Sequence, residues 1–198
     1  MMDDRGIDEG FLAGIGLMAA SAAVLLFAFS IVSYLMPSNT AIALESAASE
    51  VCGDVETVAT MAIPYAAEKR YSFDFDVSVS TDYVVATGSN ATFARPLAVR
   101  IVPGKYSENG TLAWNGTSAM RQYLNATFNA TGTREHPIDD SRADELYGLM
   151  ERASSSTLSN PVKLEGDRAV VIEKAFLYTY NGSSHTLEAR PYVFVYNG

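Results

Sequence analysis

The alternation of apolar and polar positions divides the chain into three regimes. From Phe11 to Met36 no charged residue interrupts 26 positions, FLAGIGLMAASAAVLLFAFSIVSYLM. As a helix at about 1.5 Å per residue this stretch would be about 39 Å long, against a hydrocarbon core of about 30 Å, so the pattern predicts a tilted membrane span. Pro37, which lacks an amide donor, ends or kinks it. Beyond it Leu44, Ala48, Val51, Val55, Val58 and Ala62 recur at spacings of four and three, with Glu45, Glu50, Asp54 and Glu56 on other faces, and Pro64 closes the run. This predicts an amphipathic helix from Thr40 to Ile63, lying on a sheet or pairing as a short coiled coil. Joined to the span, it would make a nearly continuous helical rod from Ile7 to Ile63 of about 85 Å.

The third regime has the period of strands. Tyr71 to Ser80, YSFDFDVSVS, alternates throughout, with Tyr71, Phe73, Phe75, Val77 and Val79 on one face and Ser72, Asp74, Asp76, Ser78 and Ser80 on the other. Asp82 to Thr87 and Phe93 to Val102 read as further strands, the second an edge or bulge because of Pro96. Arg168 to Tyr180 and His185 to Tyr196 flank Asn181-Gly182-Ser183-Ser184, the signature of a hairpin. Between them Ser141 to Ala153 reads as a helix capped by Ser141, with Ala143, Leu146, Tyr147, Met150 and Ala153 in one stripe. Pro103 to Asp140 shows little period beyond Met120, Tyr123 and Leu124, and is expected to be a long exposed excursion with one helical turn. The expected fold class is α+β. A long N-terminal helix, membrane-spanning in its first half and amphipathic in its second, precedes a mainly antiparallel β domain with a short helix.

Charge adds a polarity to this layout. The net charge is −9, and after Met36 there are 13 basic and 19 acidic residues with no basic cluster, so nucleic acid is not an expected partner. Arg5 precedes the apolar stretch, while the next basic residues, Lys69 and Arg70, lie more than thirty positions past it, which favours a cytoplasmic N-terminus. Asn90, Asn109, Asn115, Asn125, Asn129 and Asn181 each begin an Asn-x-Ser/Thr triplet without proline; these are six of the nine asparagines, all after the apolar stretch. The region from Pro37 onward is therefore expected outside the cell and glycosylated, with Asn109, Asn115, Asn125 and Asn129 the foremost acceptors.

The N-terminus carries a resemblance. Asp3-Asp4-Arg5-Gly6-Ile7-Asp8-Glu9 followed directly by the apolar stretch resembles an archaeal type IV prepilin leader, the class III signal. The resemblance implies that a prepilin peptidase cuts between Gly6 and Ile7, with Arg5 and Gly6 as recognition residues, and that the apolar segment stays with the mature protein. Gly10 offers a second cut, preceded by Glu9 instead of a basic residue. Bacterial pilins place a glutamate at the fifth mature position, where this chain has Phe11. Within the stretch, Gly10 and Gly14 form a GxxxG and Gly16 and Ala20 continue the small-xxx-small spacing that lets membrane helices approach closely. The domains so implied are a leader 1–6, a transmembrane helix 7–36, an amphipathic helix 37–68 and an extracellular β-rich domain 69–198.

Candidate chemistry is sparse. Cys52 is expected as a half-buried small residue or an intermolecular disulfide partner. His136 and His185 are far apart in sequence, and Asp74, Asp76 and Asp82 are the one carboxylate group that could attract Ca²⁺, without the spacing of a calcium loop. There is no GxSxG, HExxH, CxxC or phosphate-binding glycine loop, and Ser154-Ser155-Ser156 and Ser183-Ser184-His185 carry no legible nucleophile-base pair. The reading is thus a non-enzymatic, pilin-like structural subunit of an archaeal surface filament, without cofactor or metal. Its expected partners are the membrane, the prepilin peptidase and other pilin-like subunits or envelope components, with a homo-oligomer allowed. The alternative is an uncleaved single-pass anchor bearing an extracellular binding module, similar to archaellum stator proteins.

Overall fold

The computed structural model describes residues 39–166 and 168–198. The expected cleavage residues Arg5, Gly6 and Ile7, the apolar stretch, and the packing residues Gly10, Gly14, Gly16 and Ala20 lie outside these. Helix α1 runs Asn39–Thr60 and buries Leu44, Ala47, Ala48, Val51, Cys52, Val55 and Val58, the stripe that its spacing predicts with Ala47 and Cys52 added. It ends three residues before Ile63, and Ala62 is exposed. At that end Lys174 donates from Nζ to the carbonyls of Ala59 (2.6 Å) and Met61, supplying a cation where the helix dipole is negative.

Eleven strands follow among the described residues. The first sheet has the order β1 (Tyr65–Lys69), β10 (Val170–Asn181), β11 (Thr186–Asn197), β5 (Ile101–Pro103), and β8 (Ile138–Asp139) also pairs with β10. The second sheet is β4 (Thr92–Pro96), β3 (Tyr83–Thr87), β2 (Asp76–Val79), β9 (Val162–Leu164), and β6 (Lys105–Glu108) pairs with β7 (Thr111–Asn115). Two more helices, α2 (Thr117–Phe128) and α3 (Ala143–Ser159), lie in the second half of the chain. Pro96 falls on the edge strand β4, where a missing amide costs no ladder bond.

Two cores flank the first sheet. One joins α1 to Val170, Ile172, Val193 and Val195 of β10 and β11 and to Val77, Val79, Val84 and Ala86 of the second sheet. The other joins Ala175, Leu177 and Phe194 to Met120, Leu124 and Phe128 of α2, to Leu146, Leu149, Met150 and Ala153 of α3, and to Trp114. The hairpin β10/β11 pairs in full register from Val170↔Asn197 to Asn181↔Thr186, so alternate residues of each strand enter different cores.

The expected α+β architecture built on a long N-terminal helix is corrected here. Among the described residues the fold is mainly β with three α-helices; the longest has 22 residues, and none is long and apolar enough to cross a membrane. The difference arises from short elements whose pairing is remote in sequence. Phe93 to Val102 is two strands in different sheets, broken where Leu97 N bonds Asp82 O and Ala98 N bonds Glu56 Oε1. Tyr71 to Phe75 keeps its alternating exposure without being a strand, and its rings stack at 5.3 and 5.6 Å. The "excursion" holds a hairpin and the three-turn α2. Ser141 does not cap α3: Asp139 accepts from Ser141 N at 2.9 Å to start a short 3-10 turn at Asp140–Arg142, and α3 continues from it through Ser159. The first sheet is also mixed, since β5 runs parallel to its partner β11 and β8 to its partner β10.

Candidate functional site: turns, grooves and buried hydroxyls

Turn chemistry decides where the sequon asparagines stand. Asn90 lies in the β3–β4 connection, Asn109 in the β6–β7 turn and Asn181 at the β10–β11 turn. Asn109 (φ 52°) and Gly110 (φ 79°) form a two-residue turn with both central residues left-handed, the type I′ geometry that suits hairpin twist and favours Asn-Gly. Asn129 (φ 53°) is the left-handed cap of α2, its amide bonded to Asn125 O. These two asparagines thus have a backbone role, which does not account for the threonine two residues on from each. Asn115 ends β7, and Asn125 stands on α2.

Five of the six, Asn90, Asn109, Asn115, Asn125 and Asn129, are exposed. Asn181 is half-buried and engaged. Its Nδ2 donates to Asp140 Oδ2 at 3.0 Å, and its Oδ1 accepts from the amides of Ser183 and Ser184 at 2.9 and 3.0 Å. A sugar on that nitrogen would compete with the bond to Asp140, a contact 41 residues away that the triplet does not reveal.

The remaining candidates are separated by the fold. Cys52 is 1% exposed, its thiol pushed up by burial and by a 3.4 Å hydrogen bond to Glu56, which opposes thiolate chemistry and closes it to a neighbour. His136 and His185 are both exposed, the latter at φ 56° in the hairpin turn. Asp74, Asp76 and Asp82 are not gathered, and among the described residues no group of three His, Cys, Asp or Glu side chains is placed to hold a metal.

The concave regions among the described residues include three of note. A groove of about 630 Å³ is lined by Lys105, Lys163, Arg168 and Glu165, with Asn115, Tyr196 and Asn197. Gly104 lets the chain pass close by: a Cβ there would come within 2.1 Å of the Tyr196 ring. A second, of about 490 Å³, joins the stacked rings of Tyr71, Phe73 and Phe75 to Asp74, Asp76 and Lys163. The third, of about 210 Å³, is closed by Glu108, whose carboxylate takes the Tyr123 hydroxyl at 2.8 Å and the Arg152 guanidinium at 3.1 Å. The Tyr123 hydrogen bond and then Arg152 hold Glu108 below the usual carboxylate range.

A buried hydroxyl network, which sequence reasoning missed, ties α3 to the second sheet. Thr157 Oγ1 accepts from Thr81 N at 2.6 Å, the Thr81 and Ser154 hydroxyls meet at 2.6 Å, and Ser154 Oγ donates to Ile101 O at 2.7 Å. Each hydroxyl is satisfied by another hydroxyl or by backbone, an arrangement that fixes a core and supplies no proton acceptor. The tyrosines are held in their neutral, protonated form: burial and the Asp54 carboxylate push the pKa of Tyr71 far above its usual value, and burial pushes that of Tyr192 up to about 12.

Compared with protein-family models, with curated proteins and with solved structures, the chain matches none.

Proposed function

We propose that this chain is a pilin-like, non-enzymatic structural subunit of an archaeal cell-surface filament. The observation that carries the reading is the order of signals along the chain: Arg5-Gly6, then 26 residues without a charge, then six sequons with none before them. The exposure of five sequon asparagines supports it, because a glycan needs solvent on its acceptor.

The mechanism is assembly. Apolar stretches of neighbouring copies supply cohesion, while an acidic, glycosylated domain keeps the surface hydrated. Gly6→Val tests the processing step in a cell that contains the peptidase, since a residue before the cut must be small; the expected outcome is a retained leader. Unchanged processing would remove the Gly6–Ile7 assignment, and normal cleavage of Gly10→Val would exclude the second cut. The second reading, an uncleaved anchor with an extracellular binding module, is favoured by the groove at Lys105, Lys163 and Arg168, where cations gather in an otherwise acidic domain. Intact residues 1–6 in the mature protein would select it.

A further inference from the structure

We infer that the two Asn-Gly-Thr triplets bounding β7 take sugar at different times. The triplet at Asn109 stays open to a glycosyltransferase on the folded chain, whereas the one at Asn115 is open only before the domain folds. The inference rests on the proposed export and glycosylation, and the pair carries its own control. Asn109-Gly110-Thr111 and Asn115-Gly116-Thr117 are identical in sequence, and both asparagines are exposed. What differs is the fold around them.

The chemistry of transfer sets what the enzyme must reach. Nδ2 of the asparagine attacks C1 of a sugar carried on a lipid phosphate. The C1–N bond forms, the C1–O bond breaks with its electron pair leaving on the phosphate, and a proton from Nδ2 passes to a base of the transferase. The third residue must be Ser or Thr because its hydroxyl is read in the same site. An extended backbone puts residues i and i+2 on one side, so the acceptor has to offer a free carboxamide and a free hydroxyl from an extended segment.

At Asn115 the fold withholds the extended segment and the hydroxyl. Asn115 is the last residue of β7, paired with Lys105, and Thr117 is the first of α2. Between them Gly116 stands at φ 85°, so the chain turns from strand to helix inside the triplet. The Gly116 amide donates to Gly104 O at 2.6 Å, and its carbonyl accepts from Met120 N at 3.0 Å. The Thr117 hydroxyl donates to Glu173 Oε2 at 2.7 Å, an oxygen that also receives Tyr196 Oη at 3.1 Å. Core residues stand on both sides, Trp114 at 1% and Met120 at 0% exposure. Extending this triplet therefore undoes the first turn of α2 and draws Trp114 and Met120 out of the second core, which is an opening of the domain.

At Asn109 the triplet is the tip of a hairpin. Asn109 and Gly110 are the central residues of the β6–β7 turn, and Thr111 is exposed. Among the described residues neither the Asn109 carboxamide nor the Thr111 hydroxyl has a hydrogen-bond partner. A Cβ built on Gly110 would meet nothing within 4 Å. Opening this tip breaks the terminal pair Glu108↔Thr111, and neither residue belongs to a core. Sugar found on Asn115 of the native protein was thus attached before α2 formed, and a chain that folds ahead of the transferase keeps Asn115 bare beside an occupied Asn109.

The test uses the full chain made in a bacterium that lacks a transferase and purified in detergent. It is mixed with native-host membranes that hold the transferase and its lipid-linked donor, and glycopeptides are quantified by mass spectrometry. On the folded chain the occupancy of Asn109 should exceed that of Asn115 by about tenfold or more, because each rate follows the population of its opened state. Met120→Asp removes the packing of α2 without touching either triplet. With the loss of α2 confirmed by hydrogen exchange, the ratio should fall to about one. Equal occupancy on the folded chain, or an unchanged ratio in a Met120→Asp chain that has lost α2, would overturn the inference and leave the glycosylation reading standing. No sugar on either triplet of the Met120→Asp chain, from membranes active on a short acceptor peptide, would remove the glycosylation reading and the inference with it.

Discussion

The two halves of the β10/β11 hairpin have the same apolar alternation and opposite fates. In the inner half Val170, Ile172, Val193 and Val195 are each at most 4% exposed beneath α1. In the outer half Tyr180 and Leu187, on the same face, are about ten times as exposed. Nothing in the strand itself accounts for the difference. What differs is the reach of a helix from the other end of the chain, which is 22 residues long and ends where Lys174 takes its carbonyls. Alternation therefore tells which side of a strand is apolar, and a remote element decides whether that side is covered.

The sharpest way to break this comparison is a carboxylate placed under the cover. Val55 is fully buried, so Val55→Asp leaves an unpartnered charge or a protonated acid in the core, at a cost of several kcal/mol out of the roughly 5–15 kcal/mol of a typical domain. Loss of cooperative melting is expected, and an unchanged curve would mean that α1 does not cover the sheet. Lys174→Met removes the donor that closes α1 and leaves the Ala59 and Met61 carbonyls unpaired; urea denaturation should show a loss of about 1–3 kcal/mol. Equal stability would place the end of α1 under some other control.

A pH series sharpens the inner half further. Tyr71 Oη donates to Asp54 Oδ2 at 2.8 Å, and burial with that carboxylate raises its pKa far above the ordinary value of about 10. The folded pKa is raised, so this contribution is fully present below about pH 10, where the unfolded tyrosine is still protonated, and is lost as pH rises above it. Stability should fall in alkali, with Tyr192 and Tyr196, both pushed up to about 12 chiefly by burial, adding to the slope. Tyr71→Phe should cost about 1 kcal/mol at neutral pH and flatten that fall. A slope that does not change would contradict the Tyr71–Asp54 bond. The smallest effect belongs to the outer half. Leu187→Asp should change stability by no more than about 0.5 kcal/mol, and a core-sized loss there would show that this half is covered after all.

Local pattern made part of this fold legible. The stripe of α1 and the exposed and buried sides of Tyr71 to Val79 follow from single-period patterns, because each element has one wet face. Helix α2 was obscured by its own surface. Met120, Leu124 and Phe128 are its buried residues, four apart, set among sequons and bounded by Gly116 and Asn129. Strand β1 reads as polar because, at the edge of its sheet, it exposes Glu68 and Lys69. Strand β5, three residues long, is defined by a parallel partner more than ninety positions away, which no window of sequence contains. The sequons were legible as triplets, yet the engagement of Asn181 by Asp140 depends on β8 lying beside β10.

The most direct test of the whole account is the intact mass of the protein purified from its native envelope, followed by mapping of its N-terminal peptide and glycopeptides. The account predicts a chain beginning at Ile7 that carries sugar, with higher occupancy at the exposed turn residue Asn109 than at the engaged Asn181. A mass equal to that of all 198 residues, with no sugar at any of the six asparagines, would contradict it.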